Sequence, residues 1–263
     1  MVTNVLEVDG LSKSFRRGPR FASKRLEPIH AVRDVSFTVP AGRCVGIVGE
    51  SGSGKSTVAR LITRLEDPDN GSIRVGTDDW TSLKSGRLRP LRRNVQMVFQ
   101  NPYSSLDPTK TVAELIREPL SVHRINPDEG ASYLVDSLLD RVGLPLSAKS
   151  RHPRDFSGGQ RQRIAIARAL APDPKLLIAD EAVSALDVST QAKIVNLFKE
   201  ILESGETSIL FITHDFAVVR QICDSVVVMR RGQVVEDQGV DELFNQPESE
   251  YTSELLDSVP RLM

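Results

Sequence analysis

Apolar and polar positions alternate along residues 2–15, "VTNVLEVDGLSKSF", as they do in a strand with one buried face. The stretch that follows, residues 16–28, is rich in Arg and Lys and broken by Pro and Gly, and predicts an exposed loop. "AVRDVSFTVPAGRCVGIVGE" then reads as a period-two strand, a Pro-Ala-Gly turn and a continuous apolar strand. Two more apolar runs lack alternation, "KLLIADE" at 175–181 and "SILFITHD" at 208–215. Strands of that kind, separated by helical stretches, predict an α/β fold with a parallel sheet covered on both faces.

Between Gln100 and Phe156 the period changes. "TVAELIREPL" and "EGASYLVDSLLDRVGL" are helical, and Leu134, Val135, Leu138, Leu139 and Val142 share one face of the second. With no strand signal there, residues 101–157 read as a helical insertion into the sheet domain. "VVVMRRGQVVEDQG" predicts a terminal hairpin, and a polar tail from about residue 245 to 263 ends the chain.

Composition narrows the class. The 263 residues are 40% hydrophobic and 26% charged, with a formal net charge of −1, as in an ordinary globular protein. That balance offers no electrostatic footprint for nucleic acid. The densest basic cluster, "GRLRPLRRN" at 86–94, reads as a solvated face. Cys44 and Cys223 stand far apart in apolar surroundings and predict neither a disulfide framework nor a CxxC metal pair; each reads as a small buried hydrophobe. The first ten residues lack the pattern of a signal peptide, and the longest apolar runs are far short of a membrane span.

The chemistry concentrates in "GESGSGKST", which fits G-x-x-x-x-G-K-[ST]. Gly49, Gly52 and Gly54 let successive backbone N–H groups turn inward, and a helix starting near Lys55 points its positive end at phosphate. Lys55 is placed to reach β- and γ-phosphates and the Ser56 hydroxyl to ligate Mg²⁺. Glu50, Ser51, Ser53 and Thr57 complete the ATP-binding loop. A buried strand, "LLIAD", delivers Asp180 to a sheet end as a second Mg²⁺ ligand, and Glu181 next to it can take a proton from an attacking water. A second glycine pair, in "FSGGQRQR", opens another helix, and Ser157 fits its N-cap. His30, His123 and His152 have no motif around them and read as surface or capping residues.

Taken together these segments resemble the ATP-binding-cassette family. "GESGSGKST" is similar to its Walker A loop, "LLIADE" to its Walker B strand with the catalytic glutamate, "FSGGQ" to its signature motif, "SALD" to its D-loop, "ITHD" to its switch histidine and "VFQNP" to its glutamine loop. The resemblance implies a P-loop NTPase cassette with a RecA-like mixed sheet, an N-terminal antiparallel β subdomain and an inserted helical subdomain. It implies that two cassettes pack head to tail, so Ser157, Gly158, Gly159 and Gln160 serve the partner's ATP. It further implies that Glu181, His214 and Gln100 are catalytic, that Gln100 contacts Mg²⁺ or water, that Asp187 touches the opposite subunit and that Phe15 stacks on adenine. The chain departs from the family pattern at Phe156, where Leu is usual, at Ala182, where Pro is common, and in its longer arginine-rich loop.

"VFQNPYSSLDPTKTVAELIREPL" and "EAVSALDVSTQAKIVNL" resemble the peptide and nickel importer branch. That implies an importer ATPase at the cytoplasmic face of the membrane. Its partners would be a second ATPase subunit, identical or related, two integral membrane permeases and, indirectly, an extracytoplasmic solute-binding protein, with no nucleic acid. Two rivals share the catalytic motifs: an exporter ATPase, and a soluble cassette acting on nucleic acid or ribosomes.

Overall fold

A computed structural model describes residues 3–15, 27–127, 130–184 and 186–257. Most of the expected arginine-rich loop lies outside them. In chain order the elements are β1 (Asn4–Phe15), β2 (Ile29–Pro40), β3 (Cys44–Val48), α1 (Lys55–Ile62), β4 (Asn70–Val75), β5 (Asp78–Asp79), α2 (Ser85–Leu91), β6 (Val95–Val98), α3 (Pro102–Ser105) and α4 (Val112–His123). There follow α5 (Ala131–Arg141), α6 (Gly158–Leu170), β7 (Leu176–Asp180), α7 (Val188–Glu203), β8 (Ser208–Ile212), α8 (Phe216–Ile222), β9 (Ser225–Arg230), β10 (Gln233–Gly239), α9 (Val240–Asn245) and α10 (Glu250–Asp257).

The chain divides into two compact units. The first takes the described residues of 1–40, 44–83 and 212–263. Its antiparallel sheet runs in the order β2-β1-β4-β5, with Val8 opposite both Phe37 and Ile73. Leu6 and Val8 are buried on either side of half-buried Glu7, as alternation predicts, while Val5 is buried as well and a register shift between Val8 and Leu11 breaks the strict period before buried Leu11. A second strand group runs β10-β9-β3, with β10 antiparallel and β3 parallel to β9. All five residues of β3 are buried, which explains its continuous apolar run. Val48 packs in one cluster with Phe216, Val219, Val228, Leu243 and Tyr251, so the strand below the glycine-rich loop is anchored by elements from the far end of the chain. The expected terminal hairpin is β9–β10.

The second unit covers residues 41–43 and 84–211. Its strands run β8-β7-β6, with β6 parallel to β7. Phe198 and Phe211 meet edge to face at 5.3 Å, a pairing worth about 1 kcal/mol beyond burial. Among the described residues of 102–170 the regular elements are all helical: α3 to α6, with two short 3₁₀ segments at Leu146–Ser150 and Pro153–Asp155. Helix α4 starts on a capping box, Thr111 with Glu114, and α5 buries Val135, Leu138 and Leu139 on the face its spacing predicts.

One feature adds to the sequence reading and one departs from it. The basic cluster at 86–94, read as a solvated face, is mostly exposed and forms most of α2, a helix that buries only Leu88 and so has no apolar periodicity to betray it. The cysteines are neighbours, not separate: the Cys44 thiol donates to Cys223 Sγ at 3.5 Å, because the parallel pairing of β3 with β9 brings positions 179 apart in sequence side by side.

Candidate functional site

Within the first unit the loop Gly49–Gly54 joins buried β3 to α1. Gly49 has φ 149° and Gly54 φ 107°, and the free space agrees with that demand: a Cβ on Gly49 would strike the Met229 carbonyl oxygen, and one on Gly54 that of Ala31. The loop is tied from within, Ser53 N donating to the Glu50 carbonyl at 3.2 Å, and from outside, Gly232 N donating to the Ser53 carbonyl at 2.9 Å. Lys55 is 4% exposed, and its Nζ donates to the carbonyls of Gly49 at 2.6 Å and Glu50 at 2.8 Å. The ammonium is therefore held inside the loop's curve by oxygen atoms that a phosphate can replace. No acidic side chain occupies the first turn of α1, so its positive end is left for an anion. Ser56 and Thr57 follow in that turn, half-buried, and Ser51 is exposed.

Phe15 ends β1 opposite Ile29, half-buried, with Lys13 Nζ 5.7 Å from its ring centre. It is not a core residue. His214 is exposed between the end of β8 and α8. Its neighbours are pinned: Thr213 N donates to the Ile47 carbonyl at 3.1 Å, and Asp215 caps α8 by accepting from Ala217 N at 2.8 Å.

In the second unit, Asp180 ends β7 at 8% exposure. Glu181 follows with φ 47°, a left-handed conformation uncommon outside glycine. The Gln100 Nε2 amide donates to Glu181 Oε2 at 2.8 Å. Two predicted residues 81 apart in sequence are thus brought into direct contact.

Ser157 N-caps α6 in a reciprocal capping box: its hydroxyl accepts from Gln160 N at 3.4 Å, and Ser157 N donates to Gln160 Oε1 at 3.0 Å. Gly158 and Gly159 form the first turn. A Cβ on Gly159 would run into the Thr190 side chain. The Thr190 hydroxyl in turn donates to Asp187 Oδ2 at 2.8 Å. Asp187 is the N-cap of α7, its other oxygen accepting from the Ser189 hydroxyl at 2.7 Å and Thr190 N at 2.9 Å. The Ser189 hydroxyl, then the Thr190 groups, hold its carboxyl down at about 2. Asp187 therefore has a structural task inside its own chain that sequence reasoning missed.

Sequence reasoning missed two further residues. Thr190 fills the space beside Gly159, and Tyr251 of α10 accepts from Glu50 N at 3.3 Å while Arg230 stacks on its ring at 4.4 Å. An aromatic in a polar tail carried no sign of either contact. Among the described residues no helix is long and apolar enough to cross a membrane, and no three His, Cys, Asp or Glu side chains cluster together.

Residues 32–184 match the profile of a family described as ABC transporter. The chain is 46% identical, over 97% of its length and 78% of the relative's, to the oligopeptide transport ATP-binding protein AppF of Bacillus subtilis. It is 45% identical, over 97% of its own length, to the glutathione import ATP-binding protein GsiA of Salmonella paratyphi A, and spans 41% of that longer protein. Among solved structures, a dimeric post-hydrolysis ATP-binding cassette bound to ADP and Pi superposes with a TM-score of 0.79 at 29% identity, covering 89% of this chain and 98% of that one.

Proposed function

We propose, from the premise that this chain belongs to the ABC transporter family, that it is the ATP-hydrolysing subunit of an importer for peptides or a related small solute. The observation that carries the transport reading is agreement along nearly the whole chain with relatives whose names specify oligopeptide transport and glutathione import. In this reading the chain lies at the cytoplasmic face of the membrane. It works with a second ATPase subunit and two integral permeases, and a solute-binding protein outside the membrane delivers the cargo.

ATP is the substrate. The amide-lined loop Gly49–Thr57 and the start of α1 take its phosphates, with Lys55 exchanging its carbonyl partners for phosphate oxygens. Phe15 offers a half-buried ring to the adenine. Ser56, Gln100 and Asp180 are the residues that would hold Mg²⁺, since a hydroxyl, an amide oxygen and a carboxylate are the hard oxygen donors that ion takes. When bound, the ion neutralises charge on the phosphates. Glu181 accepts the proton of the attacking water, and Gln100 holds its carboxylate in position. His214 faces the terminal phosphate. Ser157, Gly158, Gly159 and Gln160 present the start of α6 to the nucleotide held by the partner subunit, and Asp187 borders the same junction.

The test is reconstitution in proteoliposomes with a permease pair and a solute-binding protein of the oligopeptide-transport type named by the relatives. ATP hydrolysis is expected to rise when a short peptide is added to the binding protein, and labelled peptide to accumulate in the compartment opposite the binding protein. Hydrolysis indifferent to the permeases would overturn the transport reading.

A further inference from the structure

Cys44 and Cys223 have no part in nucleotide chemistry, yet the fold places them together inside the first unit. The pairing of β3 with β9 extends one residue before the start of β9: Asp224 N donates to the Cys44 carbonyl at 2.8 Å, and the Asp224 side chain secures it, Cys44 N donating to Asp224 Oδ2 at 2.8 Å. The two cysteine backbones therefore lie one strand spacing and one residue step apart, a separation of about 5–6 Å. Bridged cysteines have Cα atoms about 4.4–6.8 Å apart, so the backbone needs no rearrangement. The sulfurs already touch at 3.5 Å. Gly46 keeps the seat open, since a Cβ there would come within 3.1 Å of Cys223 Sγ.

The pair is asymmetric. Cys44 is fully buried, whereas Cys223, just past the end of α8, is partly exposed. Burial, then the hydrogen bond with Cys223, pushes the Cys44 thiol up, which leaves it a poor first nucleophile. Cys223 is the sulfur an oxidant meets.

We propose that Cys44 and Cys223 form a redox modification site, converted by a peroxide into an intrachain disulfide. In the first step Cys223 attacks one oxygen of hydrogen peroxide. The O–O bond breaks, Cys223 becomes a sulfenic acid and one water leaves. In the second, Cys44 sulfur attacks the sulfenic sulfur and the S–O bond breaks. The hydroxyl leaves with the Cys44 proton as a second water. Two thiols are oxidised, one peroxide is reduced, and a dithiol reverses the change. The bridge ties the start of the strand leading to the phosphate loop to the end of the helix following His214. It closes a loop between positions 179 apart, so it removes much of the unfolded chain's freedom.

Full-length protein is treated with hydrogen peroxide, unfolded in alkylating reagent, and digested for mass spectrometry. Both thiols are expected to disappear together into one Cys44–Cys223 linked peptide, two hydrogens lighter than its parts, and dithiothreitol to restore both. Cys223→Ser should leave Cys44 alkylatable after the same treatment. Cys44→Ala should let Cys223 run on to sulfinic or sulfonic acid. Oxidised wild type should unfold at a higher denaturant midpoint than reduced protein, and Cys223→Ser should show no such rise. Wild-type Cys223 carrying sulfinic or sulfonic acid beside a free Cys44, or a bridge formed only between two chains, would overturn the proposal. A bridge with no rise in midpoint would overturn its stabilising effect.

Discussion

Glu181 occupies a backbone region that costs a residue with a side chain about 1–3 kcal/mol. Such strain persists only where surrounding contacts hold it, and here the Ser184 hydroxyl donates to the Glu181 carbonyl at 3.0 Å while Gln100 holds its carboxylate. Removing the carboxylate charge while keeping the shape separates chemistry from architecture. Glu181→Gln is expected to bind ATP as wild type does and to hydrolyse it about 10²–10⁴-fold more slowly, measured as phosphate release at saturating ATP. Near-normal turnover would remove Glu181 from the role of base. Lys55 makes the opposite case. Its ammonium is buried against two carbonyls, and Lys55→Ala leaves those oxygens with no cation and a phosphate with no partner. ATP titration by fluorescence should then show a large loss of affinity, and an unchanged curve would contradict the placement of phosphate in this loop.

At the scale of elements, α7 depends on the charge state of its cap. Asp187 in the folded chain titrates at about 2, below the ordinary aspartate value it regains on unfolding. The folded state therefore favours the ionised form. That stabilisation is complete above the unfolded pKa and drains away as pH falls through the folded one. Asn at the cap still accepts from Thr190 N but cannot titrate. Between about pH 5 and pH 3 the urea midpoint of wild type should consequently fall further than that of Asp187→Asn. Parallel curves would show that the cap's charge contributes nothing. Helix α10 gives a second test. Tyr251 is 4% exposed in the cluster around Val48, and Tyr251→Ala should cost about 3–5 kcal/mol of stability, whereas Tyr251→Phe keeps the packing and loses only the bond from Glu50 N. These elements were legible to different degrees. The phosphate loop, β7 with its terminal acids and the amphipathic α5 could be read because their chemistry lies within a few consecutive residues. The contacts of Gln100 with Glu181, Cys44 with Cys223 and Tyr251 with Glu50 could not, since each depends on how distant strands and helices pack. Helix α2 escaped because it buries a single leucine.

At the scale of the whole molecule, the two helix starts that follow glycine-rich sequence belong to different units of the chain, α1 to the first and α6 to the second. Ser157 already uses its hydroxyl and its N–H in the capping box, so Ser157→Ala should cost about 1 kcal/mol of folding stability in the isolated chain whether or not a partner is present. A role toward a partner's nucleotide predicts a further loss that folding cannot explain. Slow-hydrolysing Glu181→Gln provides the background, because ATP should accumulate between two such chains and shift them from monomer to dimer in size-exclusion chromatography with light scattering. ADP should leave them monomeric, since the terminal phosphate is the group the second helix would grip. Adding Ser157→Ala to Glu181→Gln should weaken this ATP-driven dimer while ATP binding to each monomer stays intact. Adding Gly159→Val, whose side chain would collide with Thr190, should weaken it further. If the double variants dimerise as well as Glu181→Gln alone, the start of α6 is a helix cap and nothing more, and the nucleotide is not shared between subunits.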